Sequence, residues 1–201
     1  MKKCIVAVAV ACCLMAGAAS AESGKGWFVG AQLGDANSGF GRGAATSVKT
    51  RDTGAAWGFN VGHRWALGSR LALGPEFAYQ RFGSANITWG NGPTAGKASV
   101  STAAFTLGGN MRFSVTDRWY LSARGGWLSW SGNSDLSVQG QRARRNGRGT
   151  GLYAGVGAGL DVTKTWSVGM SLDKHWMSST RKSRNDGFRM RTLQLTTEWR
   201  F

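Results

Sequence analysis

The chain has 201 residues, with 25 Lys and Arg against 10 Asp and Glu, two histidines and three cysteines. That length suits one domain, and two histidines are too few for a multi-histidine metal centre. Cys4, Cys12 and Cys13 all lie in the first 13 residues, which excludes a disulfide scaffold in the remainder.

Residues 1–21 read as a secretory leader. Lys2 and Lys3 form a positive start, Ile5 to Ala19 is apolar, and Ala19-Ser20-Ala21 is a small-x-small cleavage site. The apolar run is too short to span a bilayer as a helix, so cleavage between Ala21 and Glu22 is expected. An acylated Cys12 or Cys13 is the weaker alternative, because neither follows a Leu-small-small triplet. Of the 25 basic residues the leader takes two, leaving 23 against 10 acidic and a net charge of +13 over residues 22–201. No apolar run in that domain is long enough for a membrane helix, so any span is made of strands.

Residues 22–201 show eight segments that alternate with period two. In chain order the apolar faces begin with Trp27, Val29, Ala31 and Leu33, then Trp57, Phe59, Val61 and Trp65. Leu71, Leu73, Phe77 and Tyr79 form the third, and Ala103, Phe105, Leu107, Met111 and Phe113 the fourth. The fifth is Trp119, Leu121, Ala123 and Trp127; the sixth runs from Leu152 through Val156 to Val162. Trp166, Val168, Met170 and Leu172 make the seventh, and Leu193, Leu195, Thr197, Trp199 and Phe201 the eighth. His63 is the one ionisable residue on these faces. A lipid-facing Lys or Arg at mid-depth costs roughly 2–4 kcal/mol, whereas a soluble sheet has no reason for such strictness. The pattern predicts an all-β, eight-stranded, antiparallel up-and-down transmembrane barrel. A soluble lipocalin-like barrel, its rival, would put apolar residues inside.

Connector lengths alternate. Short ones fall at Ala66 to Arg70, Ser114 to Arg118 and Thr163 to Thr165. Long ones run about Asp35 to Ala55, Gly83 to Ala98, Ser131 to Gly149 and Ser178 to Arg189, with Asn91-Gly92, Asn146-Gly147 and Asp186-Gly187 as turn signals. Short periplasmic turns and long outer loops are the asymmetry of an outer-membrane barrel. Trp27, Trp65, Trp119, Trp166 and Trp199 lie near the short turns and Trp57, Trp127, Trp130 and Trp176 near the long loops, as two aromatic girdles would. Only Trp89 falls in a loop. Pro75 sits inside the third segment, where a bulge or a lost ladder bond is expected.

The opposite faces point to the lumen. By parity they hold Arg64, Arg112, Arg124 and Arg200 against Glu76, Asp161, Asp173 and Glu198. Four charges of each sign balance, and an eight-stranded lumen is just wide enough for side chains to fill. The expected role is a structural plug of paired ions; a gate that exchanges partners is the alternative. Excess positive charge then lies in the long connectors, which hold 12 basic and four acidic residues. Arg142, Arg144, Arg145 and Arg148 form the densest group, with Arg181, Lys182 and Arg184 in the last connector; Arg81, Lys174 and Arg191 lie near the same rim. Arginine's planar fork suits the phosphates of lipopolysaccharide; acidic surface glycans are the sharper target. Export excludes intracellular nucleic acid. His175, with Asp173, Ser171 and Ser179 on the same parity, is the only conceivable Ser-His-acid group.

Gly26-Trp27-Phe28-Val29-Gly30, the segment Gly58 to Trp65, Gly155 to Leu160 and the terminal Leu195 to Phe201 carry a resemblance. The chain resembles the outer membrane protein A-like β-barrel domain family and its outer membrane protein X and Ail-type relatives. The resemblance implies a monomeric barrel in the cell outer membrane, without cofactor or enzymatic activity, serving envelope integrity or adhesion. It also implies that Leu195, Thr197, Trp199 and Phe201 form the signal read by the barrel-assembly machinery. A small porin-like channel is the alternative. A lipid A-modifying enzyme is the remoter one: the His-x-Ser-Asn pattern of the outer-membrane lipid A deacylases is absent, since Trp176, Met177 and Ser178 follow His175. The periplasmic peptidoglycan-binding domain of larger members does not follow the barrel in this sequence.

Overall fold

The structure, a computed structural model, describes residues 24–38, 49–51, 53–89, 96–138, 141–179 and 188–201. The cleavage site at Ala21 and Glu22, and Arg181, Lys182 and Arg184, lie outside these residues. The elements are β1 (Gly26–Ser38), β2 (Lys49–Arg51), β3 (Thr53–Ala66), β4 (Leu71–Trp89), β5 (Gly96–Ser114), β6 (Trp119–Val138), β7 (Gln141–Asp161), β8 (Trp166–Ser179) and β9 (Phe188–Arg200). Every pairing is antiparallel. β1 pairs with β3 and with β9, and β4 with β5, so eight strands close into a barrel. The three-residue β2 is an outer addition on β4, at Asn86 to Thr88.

Closure is made at the chain ends. Phe28 lies opposite Arg200, and the Phe201 N–H donates to the Trp27 carbonyl at 3.1 Å. Gly26 sits at φ 102°, and a Cβ there would meet the Phe201 carbonyl oxygen at 2.9 Å. Only glycine meets both demands without strain.

Side-chain direction follows the alternation. Phe59, Leu107, Val156 and Leu195 are each more than half exposed, while Arg112 and Arg200 are 1% exposed. Water would penalise so large an apolar outer surface, whereas hydrocarbon is its natural solvent. The polarity is the reverse of a lipocalin's.

The short turns are tight. Val115 and Val162 N–H groups donate to the carbonyls of Trp119 and Trp166 at 2.9 and 3.0 Å. In each turn a threonine hydroxyl oxygen, that of Thr116 or Thr163, accepts the backbone N–H of the same tryptophan, at 3.0 or 2.9 Å. The turns thus fix the entry of a girdle residue. At Pro75 the β3–β4 register passes from Gly62↔Glu76 to Trp65↔Leu73 unchanged, so ladder pairs are lost without a bulge. The irregularity in β4 falls instead between Phe82 and Ser84.

The outer side differs from the sequence expectation. The segments at 83–89, 96–98, 131–138 and 141–149 are strand, not loop: β4 and β5 pair out to Trp89↔Gly96, and β6 and β7 to Val138↔Gln141. A tilted membrane strand needs about 9–11 residues, while β5, β6 and β7 have 19, 20 and 21. Their turn ends are level with the lower tryptophans, so the surplus stands outside the membrane as a wall. Of the wall side chains that are described, Asn133, Asp135, Arg144, Asn146 and Arg148 are exposed, and outside lipid apolar alternation has no cause. Asn146-Gly147 is consequently strand rather than turn, Trp89 ends β4, and Arg142, Arg144, Arg145 and Arg148 lie on β7. Asn91-Gly92 and Asp186-Gly187 fall outside the described residues.

Candidate functional site

The lumen has two halves. Towards the short turns, Arg64, Arg112 and Arg200 surround Asp161 and Glu198. Arg64 makes a fork to Glu198 at 2.8 and 2.6 Å. Arg112 and Arg200 both donate to Asp161 Oδ1, at 2.6 and 2.7 Å. The guanidinium of Arg64 lies 3.8 Å from the Phe28 ring centre and that of Arg112 3.5 Å from Tyr120, so two inward aromatics cover the cations.

Above this group, Arg124 of β6 forks onto Asp173 of β8 at 2.7 and 2.6 Å and lies 3.7 Å from Glu76. Asp173 Oδ2 also accepts from Ser171 at 3.1 Å, and Gln32 accepts from Arg124 at 2.9 Å. Asn110 joins the halves: its carbonyl oxygen accepts from Arg64 at 2.6 Å and its amide donates to Glu76 at 2.6 Å. All eight parity-assigned charges therefore meet in one network. Gln32, Asn60, Asn110, Phe28 and Tyr120 also stand at inward parity, but uncharged residues carry no pairing signal in the sequence. A polar cavity of about 40 Å³ remains between Asn60, Glu76, Asn110, Tyr120 and Arg124, enough for a few waters.

The outer half of the lumen is apolar. Phe82, Leu128, Trp130, Tyr153, Met177 and Met190 pack there. Trp130 belongs to this plug and not to the outer girdle: it is 9% exposed, and its Nε1–H donates to the Ser178 carbonyl at 3.0 Å. It lies three positions beyond outward Trp127, an odd offset that reverses the parity. His175 is fully buried in the plug. Its ring lies 4.9 Å from that of Phe82, edge-on, and 6.2 Å from that of Tyr153, stacked. No hydrogen bond joins His175 to Ser171, and Asp173 is occupied by Arg124. His63 faces outward between the lower girdle residues Trp27 and Trp65, at 5.1 and 4.8 Å.

Outside the barrel, Lys174 of β8 and Arg191 of β9 are directly opposed, with Arg189 opposite Trp176 two pairs higher on the same face. Their parity is that of Leu172 and Leu193, hence outward, just above the lipid-facing band. Among the described residues Lys174 and Arg191 form no ion pair; the Lys174 ammonium sits 5.1 Å from the Trp176 ring centre. Arg81, opposite Trp57, is also outward and exposed. On the wall, Arg144 faces Asp135 at 3.5 Å, with both side chains largely exposed. At the other end of the barrel, Leu195 and Trp199 of the terminal segment face outward, and Thr197 accepts from Trp166 Nε1–H at 2.7 Å.

A closed antiparallel barrel with an apolar outside and an ionic lumen is the outer-membrane type of β-barrel. The chain belongs to the outer membrane protein beta-barrel domain family, whose profile it matches over residues 4–201. It is thus a protein of the outer membrane. Solved structures of the same fold include OprG of Pseudomonas aeruginosa, at 12% identity and TM-score 0.53, covering 91% of this chain and 99% of that one. Neisserial surface protein A, NspA, matches at 13% identity and TM-score 0.50, over 87% and 97%. Ail of Yersinia pestis, the attachment invasion locus protein, matches at 17% identity and TM-score 0.46, over 88% and 99%. No curated protein matches the sequence.

Proposed function

We propose that this barrel is a non-enzymatic display protein whose basic rim and wall bind phosphate-bearing lipopolysaccharide and acidic surface glycans. The observation that carries this reading is the opposed pair Lys174 and Arg191, with Arg189 beside them, on the lipid-facing side of the outer rim. Like charges directly opposite on adjacent strands repel; an anionic headgroup between them turns that cost into two charge-assisted contacts. Trp176 beside the pair suits the headgroup level. Arg144 and Arg148 on the wall extend the basic surface outward.

The lumen supports a structural role for the ionic network. Its charges balance, its carboxylates are paired, and the apolar plug closes the outer half. The absence of contact between His175 and Ser171 weighs against catalysis. The test is retention of the refolded protein on immobilised lipopolysaccharide and on heparin. Replacing Lys174, Arg189 and Arg191 by Gln should weaken lipopolysaccharide binding and flatten its salt dependence. Replacing Arg142, Arg144, Arg145 and Arg148 should weaken glycan binding. Retention unchanged in both variants removes the proposal.

A further inference from the structure

The plug brings together a donor set that the surface reading does not use. Among the described residues there are four methionines. Met111 and Met170 face outward, while Met177 and Met190 are inward and 1% and 6% exposed. Both inward methionines neighbour the inward histidine. Met177 follows His175 by two residues on the lumen face of β8, and Met190 of β9 lies directly opposite His175. Opposed residues in an antiparallel pair have Cα atoms roughly 4.5–5.5 Å apart, and residues two apart along a strand about 6.6 Å. Unbranched methionine side chains reach across such spans easily.

One further observation points to a ligand. Among the described residues, the backbone of Met190 is the one hydrogen-bonding neighbour of the His175 ring, so at least one buried ring nitrogen has no partner, a costly state for an imidazole in apolar surroundings. Thioether sulfur and imidazole nitrogen are soft donors that select copper(I) or its analogue silver(I), and they are poor ligands for magnesium or calcium.

We propose that His175, Met177 and Met190 form a site for a soft monovalent metal ion, held by one imidazole nitrogen and two thioether sulfurs. The faces of Phe82 and Tyr153 enclose it and exclude water. The site is independent of the basic rim.

The experiment is titration of the barrel starting at Glu22, which has no cysteine, with silver nitrate in chloride-free buffer. Methionine methyl resonances and calorimetry are the readouts. One silver ion per barrel is expected, shifting the methyls of Met177 and Met190 and leaving those of Met111 and Met170 in place. Met177→Leu with Met190→Leu, which preserves apolar volume, should weaken binding by about tenfold or more; His175→Phe should do the same. His63→Ala should leave it unchanged. A barrel that binds no silver at this stoichiometry overturns the proposal. So do equal shifts at Met111 and Met170, affinity unaffected by the Leu pair, or loss of binding in His63→Ala.

Discussion

Two of the arginine–aspartate pairs that bridge strands of this barrel, Arg124–Asp173 and Arg144–Asp135, share chemistry but not surroundings. Arg124 and Asp173 meet at 2.6 Å in the lumen with side chains 9% and 0% exposed; Arg144 and Asp135 meet at 3.5 Å on the wall, 68% and 63% exposed. In water the second pair gains little, because solvent screens both charges and the long side chains lose freedom. In the lumen the charges cannot return to solvent, so each must keep its partner. Identical residue types are thus obligatory at one height of the molecule and optional at another.

The largest expected effect follows directly. Arg124→Leu leaves Glu76 and Asp173 facing an apolar side chain, and should cost about 3–5 kcal/mol in urea unfolding from lipid vesicles. Adding Asp173→Leu should recover part of that loss, since one orphaned carboxylate is gone. An additive rather than compensating double variant breaks the comparison.

Gly155 tests the same pair from the backbone. It lies on β7 opposite both Arg124 and Asp173, so the fork passes over it. A Cβ at Gly155 would collide with Asp173 Oδ1. Gly155→Val should therefore cost about 1–3 kcal/mol by displacing the carboxylate. Gly109, where a Cβ meets open space, should accept alanine with little change in the same unfolding assay.

The contrast also explains what could be read from the sequence. Leu193 to Phe201 shows its strand plainly because one face meets lipid and the other the lumen. Arg142 to Arg148 is strand too, yet Arg144, Asn146, Gly147 and Arg148 are all exposed, so no lipid imposes an apolar alternation and the composition reads as a loop. Lumen charges were legible by parity one strand at a time. Their partners were not, since Arg64 and Glu198 are brought together by barrel closure across 134 residues. Trp130 departs from the girdle expectation because height along a strand does not set facing: its odd offset from Trp127 turns it inward.

Trp130 and Arg144 supply the smaller tests. Trp130→Phe keeps the plug filled but orphans the Ser178 carbonyl, which should cost about 1 kcal/mol. Arg144→Ala should change stability by at most about 0.5 kcal/mol. Half-molar salt should have no further effect on that variant, because the pair it removes is already screened. The comparison predicts that Arg144→Ala acts on glycan retention while leaving the unfolding midpoint in place. A midpoint shift as large as that of Trp130→Phe would mean that the wall is coupled to the barrel below, and that its exposed pair is structural after all.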